Sequence, residues 1–206
     1  MKLYLAPGAC SLAPHILLRE LGLPFDSEVV DLRTGRTASG ADFKEINPKG
    51  YVPALQLDDG EVLTEGVAIM QYLVDSRAPG GLAPTAGTVE RARLTAHLNF
   101  IAAEFHKAFG PLFNPSLSPE AREAAMANIR RKLDVMERAL SDDRPYLLGD
   151  AYTIADAYLF VIAGWAPMFG QELSSWPKVQ ALVARVAERP AVQAALGSEA
   201  QMRAAA

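Results

Sequence analysis

The sequence predicts a chain in two parts, a mixed α/β domain over residues 1–80 and an all-helical domain over residues 88–206. Three observations predict it. Up to Ala78 the residues alternate strand and helix patterns in the order β-α-β, then β-β-α. Residues 78–88, "APGGLAPTAGT", hold three Gly and two Pro, the composition of a linker. Beyond them the apolar residues recur at helical spacing, and no convincing strand follows.

The elements follow in order. "KLYLA" reads as a strand. From Leu12 to Leu21 the spacing is helical, with Leu17, Leu18 and Leu21 apolar, Gly22 in the C-terminal capping position and Pro24 just beyond. "SEVVDL" is a second strand. "GRTASGADFKEINPKG" is polar and turn-rich, a loop with a short helix. "VPALQLD" and "EVLTE" are strands joined at Asp59-Gly60, a tight-hairpin signal. "GVAIMQYLVDS" is a helix with Val67, Ile69, Met70, Leu73 and Val74 apolar. A right-handed β-α-β crossover followed by a hairpin and a covering helix is the thioredoxin-like arrangement. The second part holds helical segments near 88–110, 119–141, 153–169 and 176–196. Ser118-Pro119 starts one as N-cap and first helical residue. Thr153 and Asp156 start another as an acidic capping box, a folding signal and not a catalytic one.

Composition narrows the function. Of 206 residues half are hydrophobic, and the net charge is -4. That balance argues against nucleic acid as a partner. The basic run Arg130-Arg131-Lys132 lies in a helical pattern among acids and reads as a solvated face. No apolar run approaches the ~20 residues of a membrane span, and "MKLYLAPG" does not have the pattern of a signal peptide. A cytoplasmic protein is expected. The single cysteine makes no internal disulfide, which fits a reducing compartment. Together with His15, His97 and His106 it gives no metal-ligand spacing, so no metal is expected.

Three stretches carry possible chemistry. Cys10 stands in "PGACSLAPH", where a strand gives way to a helix. A helix beginning near Ser11 stabilises a thiolate there. Pro14 fits the first turn, where its missing N–H breaks no bond. The other reading is a small buried hydrophobe, but the position favours a functional thiol. "Cys10-Ser-Leu-Ala13" lacks a second cysteine, which excludes an intramolecular disulfide cycle but leaves an external thiol able to pair. Val52-Pro53 is a candidate cis peptide before a strand. Glu65-Gly66 opens a helix: a bare N–H suits a carboxylate and the acid suits an ammonium group, as on an α-amino acid. An ordinary helix start explains that pair equally well. In "ERARLTAHLNFIAAEFHKAFGPLF" the core stripe is Leu94, Leu98, Ile101, Phe105 and Phe109, and Asn99, Ala103 and His106 form a stripe beside it. Taken alone, His106 reads as a surface or satisfied histidine.

Together, "APGACSLAPHILLRE", "NPKGYVPALQLDDGEVLTEGVAIMQYL", "LNFIAAEFHKAF" and "TIADAYLF" resemble the glutathione S-transferases, most closely the bacterial beta class, over nearly the whole chain. The resemblance implies a thioredoxin-like domain that binds glutathione as co-substrate, an all-helical domain, a homodimer, and transfer of glutathione to electrophilic, mostly apolar molecules in detoxification. It implies that Cys10 and His106 act near the glutathione sulfur. By the same resemblance Val52 would clamp the cysteinyl part, and Glu65 with Gly66 would hold the γ-glutamyl end. The resemblance also implies further contacts from Asn99 and the segment Ala103, Glu104, Phe105 and His106, some to the partner subunit's ligand. Beta-class relatives can carry a lysine near position 35 for the glycyl carboxylate. Here Gly35 stands there, and the charge is absent or supplied by Arg33 or Arg36. An apolar electrophile would pack against Phe109, Phe113 and Trp165. Two other functions share the fold: a reductase of mixed disulfides or peroxides using Cys10, and a non-enzymatic ligand-binding protein.

Overall fold

A computed structural model describes residues 1–78 and 80–204. The chain divides into two compact units, residues 1–81 with 188–206, and residues 82–187. The first contains a five-stranded sheet of β1 (Lys2–Leu5), β2 (Asp26–Asp31), β3 (Arg36–Thr37), β4 (Ala54–Gln56) and β5 (Val62–Thr64), in the order β3-β2-β1-β4-β5. β1 and β2 run parallel, joined through α1 (Leu12–Glu20), and β4 is antiparallel to β1 and to β5. Alternation along β1 sends Leu3 and Leu5 to one buried face of the sheet. Tyr4 goes to the other, where it packs with Val30, Phe43, Val52 and Ala54. Phe43 comes from the short helix α2 (Phe43–Ile46), and α3 (Gly66–Arg77) contributes Ile69, Met70, Leu73 and Val74 to the core.

The β-α-β, β-β-α order agrees with the sequence reading. The short pair β2–β3 does not appear in it, because two residues of strand carry no periodicity. The hairpin is looser than Asp59-Gly60 suggests. Its turn runs from Leu57 to Glu61, closed by the Leu57 N–H on the Glu61 carbonyl at 2.8 Å.

The second unit is helical, with α4 (Val89–Phe100), α5 (His106–Ala108), α6 (Pro119–Ala139), α7 (Ile154–Ala163) and α8 (Pro177–Ala187). Among the described residues it has no strand, only a bridge between Tyr146 and Gly149. Ser118 caps α6 by accepting the Ala121 N–H at 3.2 Å. Asp156, in the first turn of α7, accepts from the Thr153 N–H, the Thr153 hydroxyl and the Leu147 N–H, each at 2.8 Å. The predicted linker includes Pro79, which lies outside the described residues. Its later part is held by buried Arg91, which donates to the Pro84 carbonyl at 3.0 Å.

Three helix readings need correction. The segment 88–110 is not one regular helix: a π-helical turn, Ile101–Phe105, separates α4 from α5. The segment 153–169 ends as α-helix at Ala163 and continues as a 3₁₀ turn over Ala166–Phe169, where Pro167 interrupts the ladder. The segment 176–196 is two helices, α8 and α9 (Pro190–Ala204), because Pro190 cannot continue a helix but starts one well. The expected domain 88–206 therefore loses its end: α9 packs on α1 and belongs to the first unit. Among the described residues no helix is long and apolar enough to cross a membrane.

Candidate functional site

In the first unit, the end of β1 leads through Pro7–Gly8 into Ser11 and α1. Ser11 is buried and stitches the loop, its hydroxyl lying 3.1 Å from the Ala6 N–H and 3.2 Å from the Ala6 carbonyl. Cys10 is half-buried, and its thiol donates to the Val52 carbonyl at 3.5 Å. The Val52-Pro53 bond is cis, as the sequence suggested. The helix-terminus argument is modified by the turn itself. The Leu12 and Ala13 N–H groups bond to the carbonyls of Ala9 and Cys10, at 3.0 and 3.1 Å, and Pro14 has none. Donors in the first turn are thus largely committed before any anion arrives.

Glu65 precedes α3 with φ +67, a left-handed conformation unusual for a residue with a side chain. Such outliers concentrate at functional sites, where the surrounding structure enforces them. Its carboxylate faces the Lys49 ammonium at 2.8 Å, and Lys49 also reaches the Thr64 hydroxyl at 3.1 Å. Gly66 starts α3, so its N–H has no partner within the helix. Gly35 has φ +71, with its N–H on the Asp31 carbonyl at 2.8 Å and its carbonyl accepting from Phe43 at 2.9 Å. A lysine there would take a strained left-handed backbone. Nearby, Arg33 is exposed beside Asp31, and Arg36 donates to the Gly40 carbonyl at 2.8 Å.

In the second unit, His106 opens α5. Its Nδ1 lies 2.9 Å from the Tyr158 hydroxyl on α7, and its ring meets Trp165 edge-on at 5.0 Å. Burial, with the Lys107 charge beside it, pushes the imidazole down to about 4, so the ring is neutral at pH 7. Among the described residues its Nε2 has no hydrogen-bond partner. The seven-residue spacing to Asn99 does not keep the two on one face. The π turn adds about one residue of phase, roughly 100° of helix rotation.

Asn99, Ala103 and Glu104 are exposed, and Glu104 is held by the Lys132 ammonium at 2.6 Å. That pair, with Arg130 on Glu123, accounts for two members of the basic run on α6. Phe105 is fully buried against Phe109, so its side chain belongs to the core and only its backbone is left for a ligand. Phe109 and Trp165 are buried as well, while Phe113, stacked edge-on against Trp165 at 5.7 Å, is exposed.

The sequence reading missed Tyr158, the partner of His106, and Lys49, the partner of Glu65. A tyrosine among the apolar residues that follow Asp156 in α7 was the only signal for the first. Among the described residues no group of three or more His, Cys, Asp and Glu side chains gathers as a metal site.

Comparisons with known proteins add the family. The model for the glutathione S-transferase N-terminal domain matches residues 8–76, and that for the C-terminal domain matches residues 100–190. The chain is 46% identical to glutathione S-transferase GstA of Escherichia coli O157:H7, over 97% of this chain and 98% of that protein. Among solved structures it superposes on the bacterial beta-class glutathione S-transferase of Sphingomonas chungbukensis with a TM-score of 0.92 and 48% identity, covering 97% and 98% of the two chains. A sphingomonad glutathione S-transferase complexed with glutathione gives a TM-score of 0.92 and 46% identity, covering 97% and 99%.

Proposed function

The chain belongs to the glutathione S-transferases, and on that premise we propose that Cys10, Val52, Glu65 and Gly66 form its glutathione site, with Asn99, Ala103, Glu104 and His106 as further contacts. The observation that carries the reading is the bond from the Cys10 thiol to the Val52 carbonyl at 3.5 Å. It joins two segments 42 residues apart and sets the thiol beside the backbone that this reading assigns to the cysteinyl group.

The chemical task is to make a thiolate. Free glutathione, with a thiol reference value near ~8.5, is mostly protonated at neutral pH, and the thiolate is the attacking species. His106 enters the reaction as a neutral ring. With Tyr158 donating to Nδ1, Nε2 carries the hydrogen and donates to the thiolate. With Nδ1–H donating to Tyr158, Nε2 accepts the thiol proton. Either role favours charge on sulfur. The sulfur then bonds to the electrophilic carbon, and the leaving group departs with its electron pair. Exposed Phe113 offers the apolar surface for that substrate. Glu65 takes the γ-glutamyl ammonium in place of Lys49, and the Gly66 N–H takes the adjoining carboxylate.

The same reading extends to a cytoplasmic homodimer that serves detoxification. Calorimetric titration with glutathione, followed by turnover of an activated chloronitroarene, tests it. Micromolar to millimolar binding with turnover is expected, and binding without turnover would contradict the transferase reading.

A further inference from the structure

Helix α9 reaches back to the loop that carries Cys10. Glu199 lies on the buried face of α9 with Val192 and Ala195, and it is only 3% exposed. One carboxylate oxygen accepts the Gly8 N–H at 2.7 Å, and the other faces Nδ1 of His15 at 3.0 Å. His15 is fully buried on α1, and its Nε2 accepts the Arg19 Nε–H at 3.0 Å. A guanidinium only donates. Nε2 is therefore the acceptor nitrogen, and the ring hydrogen sits on Nδ1, aimed at Glu199.

One turn further along α9, Arg203 donates from Nη2 to the Pro7 carbonyl at 3.2 Å. Residues four apart share a helix face. Glu199 and Arg203 thus take the N–H and the C=O of one peptide unit, Pro7–Gly8. Gly8 has φ +81, and a Cβ added there would lie 2.7 Å from Arg203 Nη2. A side chain there would displace the Arg203 guanidinium from the Pro7 carbonyl and would hold a left-handed backbone that suits glycine. Ahead of α9, Arg189 pairs with Glu20 of α1 at 2.6 and 2.9 Å, which fixes the helix against the same unit.

We propose that Glu199 and Arg203 are positioning residues: they clamp the Pro7–Gly8 peptide and so hold the Cys10 thiol in register with the Val52 carbonyl. Neither touches the reacting atoms. The consequence for turnover rests on the glutathione-site reading of Cys10 given above.

Two variants test the clamp. Glu199→Gln keeps the shape of the side chain but can accept from only one of its two donors with the same oxygen pair. Arg203→Met removes only the bond to Pro7, at an exposed position, and preserves folding if the buried variant does not. Cys10 is the single cysteine, so iodoacetamide reports on it alone. Alkylation of folded Glu199→Gln is expected to run about tenfold faster than wild type, the scale of one charge-assisted hydrogen bond lost from a local opening equilibrium. For Arg203→Met about threefold is expected, by the same argument for a single exposed bond. Both variants should raise KM for glutathione. Wild-type alkylation rates in the folded variants would overturn the clamp, because a merely structural role lowers Tm without exposing the thiol. If Glu199→Gln does not fold, Arg203→Met decides. The underlying reading fails separately: Cys10→Ala with wild-type KM and kcat would remove Cys10 from the glutathione site and leave the alkylation result standing.

Discussion

Replacing Asp156 by alanine removes the acceptor that starts α7, the helix carrying Tyr158 to His106. Asp156 is fully buried and receives three hydrogen bonds of 2.8 Å, from the Leu147 N–H, the Thr153 N–H and the Thr153 hydroxyl. Alanine strands two backbone donors and one hydroxyl. A hydrogen bond to a charged acceptor contributes about 1.5–3 kcal/mol, and a stranded buried donor costs about 1–3 kcal/mol. These contributions overlap because they share one carboxylate, so the expected loss is about 3–5 kcal/mol, large against a total of about 5–15 kcal/mol. The carboxylate itself is opposed by its surroundings: burial pushes Asp156 up to about 6 from 3.8, and the hydrogen bonds only partly offset this. The folded state therefore holds its proton more tightly than the unfolded chain. The stability from that difference is full below the unfolded value and is lost as pH rises through about 6. Between pH 5 and pH 7 the wild type loses about 1 kcal/mol by this route, and the alanine variant does not. Urea unfolding of both proteins at the two pH values measures the difference. The variant should be less stable at both, with the larger deficit at pH 5. A deficit under about 1 kcal/mol at both, or a larger one at pH 7, would refute the reasoning.

The other predictions concern the site. Incubation with oxidised glutathione should give one adduct on Cys10 by intact mass, reversed by reductant, and an unreactive thiol in the folded protein would count against an accessible Cys10. Glu65→Ala should weaken glutathione binding about tenfold by calorimetry, the low end for a charge-assisted bond because the carboxylate is well exposed; unchanged affinity is the contrary result. NMR titration should place the His106 imidazole at about 4, so that its contribution to stability is full above pH 6.5 and is lost as pH falls from 6.5 to about 4. In the same series His106→Ala should lower kcat/KM by about tenfold or more while remaining folded, and a midpoint near 6.5 with wild-type kinetics would remove the ring from the chemistry. Light scattering should give a dimer at micromolar concentration, and a monomer mass would contradict the assembly.

Much of the fold was legible because it rests on local signals. The alternation of β1, the apolar faces of α1 and α3, the Ser118-Pro119 start of α6 and the Thr153–Asp156 pair all lie within a few residues of sequence. What was not legible comes from long-range contacts or from small departures in phase. The break before Pro190 was readable, since proline ends one helix and starts the next. The attachment of α9 to α1 was not, because it depends on Glu199 meeting Gly8 and His15. The sign available was an acid at the buried spacing of Val192 and Ala195. The π turn before His106 carries no compositional mark, and it undid the argument that Asn99 and His106 face one way. α8 is likewise capped from outside its own sequence: Glu137 of α6 accepts the Lys178 and Val179 N–H groups at 3.1 and 3.0 Å. Of the candidate site, the contact of the Cys10 thiol with the Val52 carbonyl joins two stretches whose own signals do not point to each other, and Phe105 is core. Lys49 on Glu65 emerged only from the fold.

A crystal structure of this chain with glutathione is the sharpest test of the proposed site. The glutathione sulfur is expected within hydrogen-bond reach of Cys10 and of His106 Nε2, the cysteinyl amide paired with Val52, and the γ-glutamyl ammonium on Glu65 in place of Lys49. Glutathione bound with Lys49 still on Glu65 and its sulfur away from both Cys10 and His106 would contradict it.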